Sequence, residues 1–297
     1  MKKYLLLFLL STVLFSKDTI TWMKWDLPPN FIVKGELKET GYQDFRLKIL
    51  QKRLPQYNHT SIVMNINRAI QTYKAKNDSQ TIYCTNDIIS HPTLDIDDYL
   101  SIAVFPFQAY YLVTTKDKAH LFGKEGETVV LRDIIKNKNL KLVISKNRPY
   151  LGAGKVMEEY IKTHPNQTHI TALSTLNIGK SMFGLVIKNR ADYTFEYINK
   201  VTYYGKQMGV LDKMVIYPMA ENLDTYYGFI SCLKTPKGKQ VIKQVNTIIK
   251  ELKYNEKWIT AFTDWLPTKK LQDDYLKYYN EVFLLEPDRY DTNPRSR

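Results

Sequence analysis

Side chains able to do chemistry are few in this 297-residue chain, and they are dispersed. The five histidines, His91 and His120 among them, show no metal-ligand spacing, and no Cys/His cluster accompanies them. There is no G-x-S-x-G elbow and no glycine-rich phosphate loop. Asp95, Asp97 and Asp98 form a short acidic run that reads as a solvated loop, with a weak cation site as the sharper alternative. No metal and no cofactor is expected. That leaves two cysteines, Cys84 and Cys232. In an oxidising compartment an even count reads as one disulfide, which here would close a loop of about 150 residues and constrain the denatured chain by roughly 4–5 kcal/mol. Two buried free thiols are the other reading.

The compartment is read from the first residues. Lys2 and Lys3 precede Tyr4–Phe15 (YLLLFLLSTVLF), an apolar core of signal-peptide length that falls short of the roughly 20 residues a bilayer span needs. Residues 1–16 are therefore expected to be a signal peptide, cleaved after Ser16. Leu14 stands where a small residue is preferred, so an uncleaved anchor is the alternative. No cysteine lies near the cleavage point, so a lipoprotein is not expected. The expected address is the periplasm, reached by secretion across the inner membrane. The net charge of +13 would suggest nucleic acid in a cytoplasmic protein. Export and the even scatter of lysines make it a property of a solvated basic surface instead, with attraction to anionic ligands or membrane surfaces as the sharper reading. No nucleic-acid partner is expected, and a monomer is.

A hydrophobic content of 44% and a charged content of 25% fit a globular protein. The roughly 280 residues of the mature chain suffice for one large domain or two ordinary ones. Alternation predicts strands at Thr19–Trp25, Thr60–Met64 and Thr81–Thr85, with helices at Gly41–Leu54 and Asn67–Lys76 between them. That β-α-β-α-β order favours a helix-covered parallel sheet. Ile102–Thr115 is one long β-prone run broken by Pro106, placed to cross between domains. A second β/α unit follows, with strands at Lys141–Ser145, His169–Leu173 and Ala191–Ile198. Its helices are Leu131–Lys136, Gly152–Thr163 and Ile178–Asn189. Strands at Met214–Met219 and Tyr226–Leu233 precede helices at Pro236–Lys253 and Trp258–Trp265. A Cys84–Cys232 bond would require the chain to leave the first unit, build the second and return. Two lobes would then face each other across a cleft, where the carboxyl ends of strands place ligand sites.

With this layout the chain resembles the periplasmic solute-binding proteins of the polar amino-acid type, often called family 3. The resemblance rests on Ile20-Thr21-Trp22 leading to Asp26-Leu27-Pro28-Pro29-Asn30-Phe31, on Gly41-Tyr42-Gln43-Asp44 and on the Cys84 strand. Ala191–Glu196 and Cys232–Gly238 complete it, over about residues 19–267. It implies the type II two-lobed α/β fold, two parallel or mixed sheets flanked by helices with a two-strand hinge. Lobe 1 would be 17–112 and 218–285, lobe 2 113–217, and 286–297 a flexible tail.

The resemblance implies a binder that closes on a small polar ligand such as an amino acid or organic acid, partnered by a membrane permease or a membrane sensor. It nominates Trp25, Asp26, Pro29 and Phe31 for the cleft, Asp26 as a contact for a ligand cation and Phe31 with core packing as the alternative. Relatives grip a ligand carboxylate with an arginine after the third strand. Here Ser90–Asp95 stands instead, without that arginine, which puts α-amino-acid binding in doubt. Arg148, in the segment Lys146–Gly152 before a helix start, is the candidate replacement, and a solvated arginine the alternative. Glu196 matches the acidic position that meets a ligand amine, or else forms a structural salt bridge. Tyr150, Tyr197 and Tyr227 could stack on a flat ligand. Asp26 and Glu196 are also the only candidates for an acid or base were the chain an enzyme on this fold, and no catalytic constellation is found.

Overall fold

The computed structural model describes residues 17–64, 68, 71, 81–89, 98–108, 110–146, 148, 150–174, 178–223 and 225–286. The expected signal peptide, most of the helix expected at Asn67–Lys76, the segment Ser90–Asp95 and the tail from 287 onward lie outside these residues.

Along the chain come β1 (Thr19–Lys24), α1 (Tyr42–Arg53), β2 (Asn58–Val63), β3 (Ile82–Ile89), β4 (Asp98–Leu100) and β5 (Phe105–Gln108). Next are β6 (Tyr111–Thr115), α2 (Leu131–Ile134), β7 (Leu142–Ser145), α3 (Gly152–Thr163), β8 (Ile170–Leu173), α4 (Ile178–Ile187), β9 (Thr194–Glu196), α5 (Ile198–Gln207) and β10 (Met214–Tyr217). Then come β11 (Thr225–Leu233), α6 (Pro236–Leu252), α7 (Glu256–Thr263) and α8 (Lys269–Tyr278), which runs into a π-helical turn at Tyr279–Phe283.

The alternation in β1 buries Ile20 and Trp22, and β1 pairs in parallel with β2 and β3, as a β-α-β order requires. The first sheet has the order β2-β1-β3-β11-β4, with β5 also on β11. β11 runs antiparallel to β3, β4 and β5, so the sheet is mixed. Cys84 and Cys232 are register partners on β3 and β11, and they form a disulfide with Cα atoms 4.0 Å apart across a sequence separation of 148. α6 starts at Pro236 under a Thr235 cap that accepts the Gly238 N–H at 3.0 Å. Its stripe of Val241, Val245 and Ile249 is buried in the core beneath this sheet.

The second lobe holds an antiparallel sheet, β10-β6-β9, and the parallel pair β7-β8. A bridge between Leu142 and Tyr193 ties the two, and the Thr194 hydroxyl donates to the Val143 carbonyl at 2.8 Å. Leu112, Leu142, Val156, Phe195 and Tyr217 belong to its own buried core.

Three expectations change. Pro106 does not break the run: it sits inside β5 opposite Tyr227, and the chain passes between the sheets after Gln108. The expected strand Ala191–Ile198 ends at Glu196, and α5, unforeseen because Val201, Thr202, Tyr203 and Tyr204 favour strands, begins at Ile198. α8 is also unforeseen. It supplies Tyr275, which with Tyr279 lies beside the fully buried Arg46, and the Arg46 guanidinium bonds the Trp258 carbonyl and stacks over Phe105 at 4.3 Å.

Candidate functional site

Both lobes place charged side chains where strands end. In the first lobe Asp87 lies near the carboxyl end of β3 and is only 8% exposed. Its Oδ1 accepts from Asn30 Nδ2 at 2.8 Å and Gln43 Nε2 at 3.2 Å, and its Oδ2 from Trp25 Nε1 at 2.7 Å. Burial raises the Asp87 carboxyl above its ordinary value, and these three donors with the charge of Lys200 pull it partly back. The loop carrying Trp25 and Asn30 lies directly against the start of α1. A Cβ on Gly41 would fall 2.3 Å from the Asn30 carbonyl oxygen, so this approach needs glycine. The buried ion pair between Lys24 and Asp44, whose second oxygen accepts the Ile32 N–H at 2.9 Å, fixes the other side of the loop.

In the second lobe Glu196 ends β9, only 1% exposed. Arg148 meets it as a fork, Nη1 to Oε2 at 2.8 Å and Nη2 to Oε1 at 2.5 Å, while Arg148 Nε donates to the Tyr110 hydroxyl at 3.0 Å. The guanidinium also lies over the rings of Tyr110 at 4.9 Å and of Tyr150 and Tyr197 at 5.5 Å. Burial alone would raise Glu196, but the charges of Arg148 and Lys200 together with the hydrogen bonds from Arg148 and the Tyr197 N–H more than offset it, and the carboxyl sits below its ordinary value. Burial likewise opposes the charged form of Arg148, but Glu196, Tyr110 and Tyr150 together more than offset it and hold the guanidinium above its ordinary value. One turn on, Lys200 of α5 is 7% exposed. Burial brings its ammonium down to about 8, with Glu196 and Asp87 drawing it up and Arg148 pushing it down.

The two walls meet. Asn199 Nδ2 faces Asn30 Oδ1 at 3.5 Å, and Ile198 is buried in the first lobe's core. Tyr197 stacks on Tyr110 at 3.9 Å and packs edge-on against Phe107 of β5 at 4.9 Å. Farther along α5, Tyr203 and Lys206 lie 5.9 and 6.0 Å from Trp265 of the first lobe. The lobes are closed on each other. A separate groove of about 440 Å³ between α1, α5 and α7 is lined by Phe45, Lys206, Lys257 and Trp265 among others and contains none of the buried charges.

Of the residues nominated from sequence, Trp25, Arg148, Glu196 and Tyr197 come together at this junction, with Tyr150 behind Arg148. Arg148 is not solvated and is not left open to a ligand carboxylate, because Glu196 holds its fork; Glu196 is taken by the same pair. Tyr150 gives its hydroxyl oxygen to the Ser145 N–H at 2.8 Å inside the second-lobe core. Asp26 sits toward the surface, paired with the exposed Lys34 at 3.0 Å. Pro29 and Phe31 are buried, and Phe31 packs edge-on to Trp25 as a core residue, the alternative given for it. Tyr227 is away from the cleft: its hydroxyl donates to Glu286 at 2.8 Å and its ring lies 6.0 Å from Phe283. Glu286, expected in the tail, is thus held. The helix start after Arg148 is covered, since Asn222 Oδ1 accepts the Ala153 N–H at 3.0 Å.

Sequence reasoning missed Asp87, Lys200, Tyr110 and the Asn30–Asn199 contact. The signals for two of them were present. Asp87 lies three residues after Cys84 near the end of β3, and Lys200 lies four after Glu196, on the first turn of the helix that follows β9.

No protein-family model matches the sequence, and no curated relative matches it. Solved structures do. A structure from work on glutathione import through GshT and the cystine ABC importer TcyBC of Streptococcus mutans is 16% identical, with a TM-score of 0.62, covering 86% of this chain and 99% of that one. The probable amino-acid ABC transporter extracellular-binding protein ytmK from Bacillus subtilis is 16% identical, with a TM-score of 0.62 and coverage of 88% and 100%. A histidine kinase sensor domain similar to periplasmic binding proteins is 9% identical, with a TM-score of 0.56 and coverage of 84% and 96%. The chain has the two-lobed periplasmic-binding fold. Among the described residues, no helix is long and apolar enough to cross a membrane.

Proposed function

We propose that this chain is a periplasmic solute-binding protein that captures a small polar ligand between its lobes and delivers it to an ABC-type permease. One observation carries the reading: charged and amide side chains from two separately cored lobes converge on one buried junction. Asp87 and Asn30 come from one side, and Lys200, Asn199 and the Arg148–Glu196 pair from the other. Burying such groups is costly unless each is paired or hydrogen-bonded, and a few polar groups gathered at an interlobe junction are the mark of a polar-ligand site. The fold of the binding proteins described above supports the same reading, and so does the signal peptide expected at residues 1–16. The domain division that goes with it is lobe 1 from 17–112 and 218–285 around lobe 2 from 113–217, with β5–β6 and β10–β11 as the crossings. The second reading, a ligand sensor for a membrane signalling partner, is favoured by the fold shared with the sensor domain. Closure on a ligand is common to both.

The experiment is a thermal-shift screen of the mature chain against amino acids, organic acids, sugars and short peptides. A ligand at about 100 times its Kd adds about 2.7 kcal/mol of stability, so a true ligand raises Tm in a concentration-dependent way. No shift with any member of the panel overturns the binding reading.

A further inference from the structure

The charges at the lobe junction can be accounted for donor by donor. Both Glu196 oxygens are taken, Oε1 by Arg148 Nη2 and by the Tyr197 N–H at 2.9 Å, Oε2 by Arg148 Nη1. Arg148 also donates its Nε–H to the Tyr110 hydroxyl, so three of its five N–H groups are engaged and its charge is met by Glu196. Both Asp87 oxygens are taken by donors of its own lobe, Asn30, Gln43 and Trp25. Lys200 is the exception. Its backbone N–H goes to Asn199 Oδ1 at 3.0 Å, but among the described residues its ammonium makes no hydrogen bond or ion pair; it only overlies the Tyr197 ring at 5.6 Å. An ammonium carries three donors, and here it is 7% exposed. Asp87 and Glu196 attract it electrostatically and Arg148 repels it, but none of them meets it as a partner.

We propose that Lys200 is the anion-gripping group of the cleft, so that the ligand presents a carboxylate or an equivalent oxyanion to the second lobe. This rests on the binding reading above. Arg148 is excluded from that role because Glu196 neutralises it within its own lobe. Among the described residues at the junction, Lys200 is the cation whose charge meets no hydrogen-bonded partner, on the first turn of α5 and beside Asn199, which touches the first lobe. Closure without a ligand largely desolvates the ammonium and returns only the longer-range attraction of Glu196 and Asp87 and the face of the Tyr197 ring. Closure on an oxyanion returns charge-assisted hydrogen bonds, so anion binding and closure are coupled.

The test takes the mature chain and three forms of residue 200: the natural lysine, Lys200→Met and Lys200→Arg. The probes are zwitterionic amino acids, succinate and malate, inorganic phosphate and sulfate, putrescine and glucose, read by thermal shift and then by calorimetry. The expected hit carries an oxyanion, with the carboxylate and the phosphate or sulfate arms telling which kind. Lys200→Met weakens it by about 10- to 100-fold, the worth of one hydrogen-bonded charge, and Lys200→Arg keeps most of the affinity. Without ligand, Lys200→Met melts higher than the natural protein, because a desolvated charge has gone. General damage to the fold would lower both melting temperature and affinity. A hit confined to putrescine or glucose overturns the assignment while leaving the binding reading intact. So does an oxyanion hit of unchanged affinity in Lys200→Met. No hit at all overturns both.

Discussion

Arg148 and Glu196 bind each other through two near-parallel N–H···O bonds of 2.8 and 2.5 Å inside a wall of tyrosines. A ligand-facing acid and a ligand-facing base, read separately, are one structural unit. Removing one partner strands the other charge in a buried site. Glu196→Gln is therefore expected to lower stability by about 3–5 kcal/mol, and Arg148→Met by a similar amount. The double variant Arg148→Met/Glu196→Leu should lose much less than the sum of the singles. Urea unfolding of the four proteins closes this cycle; additive losses would mean the two residues act independently.

The disulfide links β3 to β11 and so ties the departing and the returning passage of the chain. It closes a loop of 148 residues, and the chain-entropy model puts its worth near the top of the usual range, about 4–5 kcal/mol. Replacing both cysteines with serine should lower the free energy of unfolding by that order without altering the far-UV circular dichroism of the native state. A double variant as stable as the natural protein would show that the denatured ensemble gains nothing from release of the link.

Periodicity made most of the fold legible. The spacing in Pro236–Lys253 gives α6 almost to the residue, and the alternation in TITWMK gives β1, because in both elements the apolar positions face one core. α5 was illegible for the opposite reason. Its first turn, Ile198–Val201, is buried in the junction between lobes, a demand that only the assembled fold imposes and that overrides the β-prone Val201-Thr202-Tyr203-Tyr204. The candidate site suffered accordingly. Residues beside aromatic or acidic landmarks, such as Trp25 and Glu196, stood out, but their partners come from distant segments. Asp87 lies 62 residues from Trp25, and Arg148 lies 48 from Glu196. Lys200 had no marker among so many lysines.

Gly152 opens α3 where the turn at 220–222 crosses it. A Cβ there would lie 1.6 Å from the Glu221 carbonyl oxygen and 2.9 Å from Asn222 Oδ1, the atom that caps the Ala153 N–H. Neither neighbour is the free end of a flexible side chain. Gly152→Ala should destabilise the protein by about 1–3 kcal/mol, the usual cost of overpacking. Gly184→Ala is the control. It lies in a helix with nothing within 4 Å of its added methyl, and should be neutral or stabilising by up to about 1 kcal/mol. Thermal melts of the two variants decide this; equal Tm values would show that the 220–222 turn yields.

Lys200 gives the stability a dependence on pH whose sign is fixed. Its ammonium titrates at about 8 in the folded protein, lowered by burial, against about 10.4 in the unfolded chain. A base with a lowered folded value is at a disadvantage while both states carry the proton. Below pH 8 the full cost is present. Between about 8 and 10.4 the unfolded state binds more protons, so stability rises with pH, and above that range the cost is gone. The groups facing Lys200 are Glu196, Asp87, Arg148 and the Tyr197 ring. The two carboxylates hold its value up and Arg148 presses it down. Lys200→Met should remove the dependence. In the ligand-free protein the variant is expected to be more stable than the natural chain near pH 7, by at most about 3 kcal/mol, with the gap shrinking as pH rises toward 10. Paired urea titrations at about pH 7, 8.5 and 9.5 measure that gap. A gap that stays constant would mean that Lys200 does not change its proton affinity on folding.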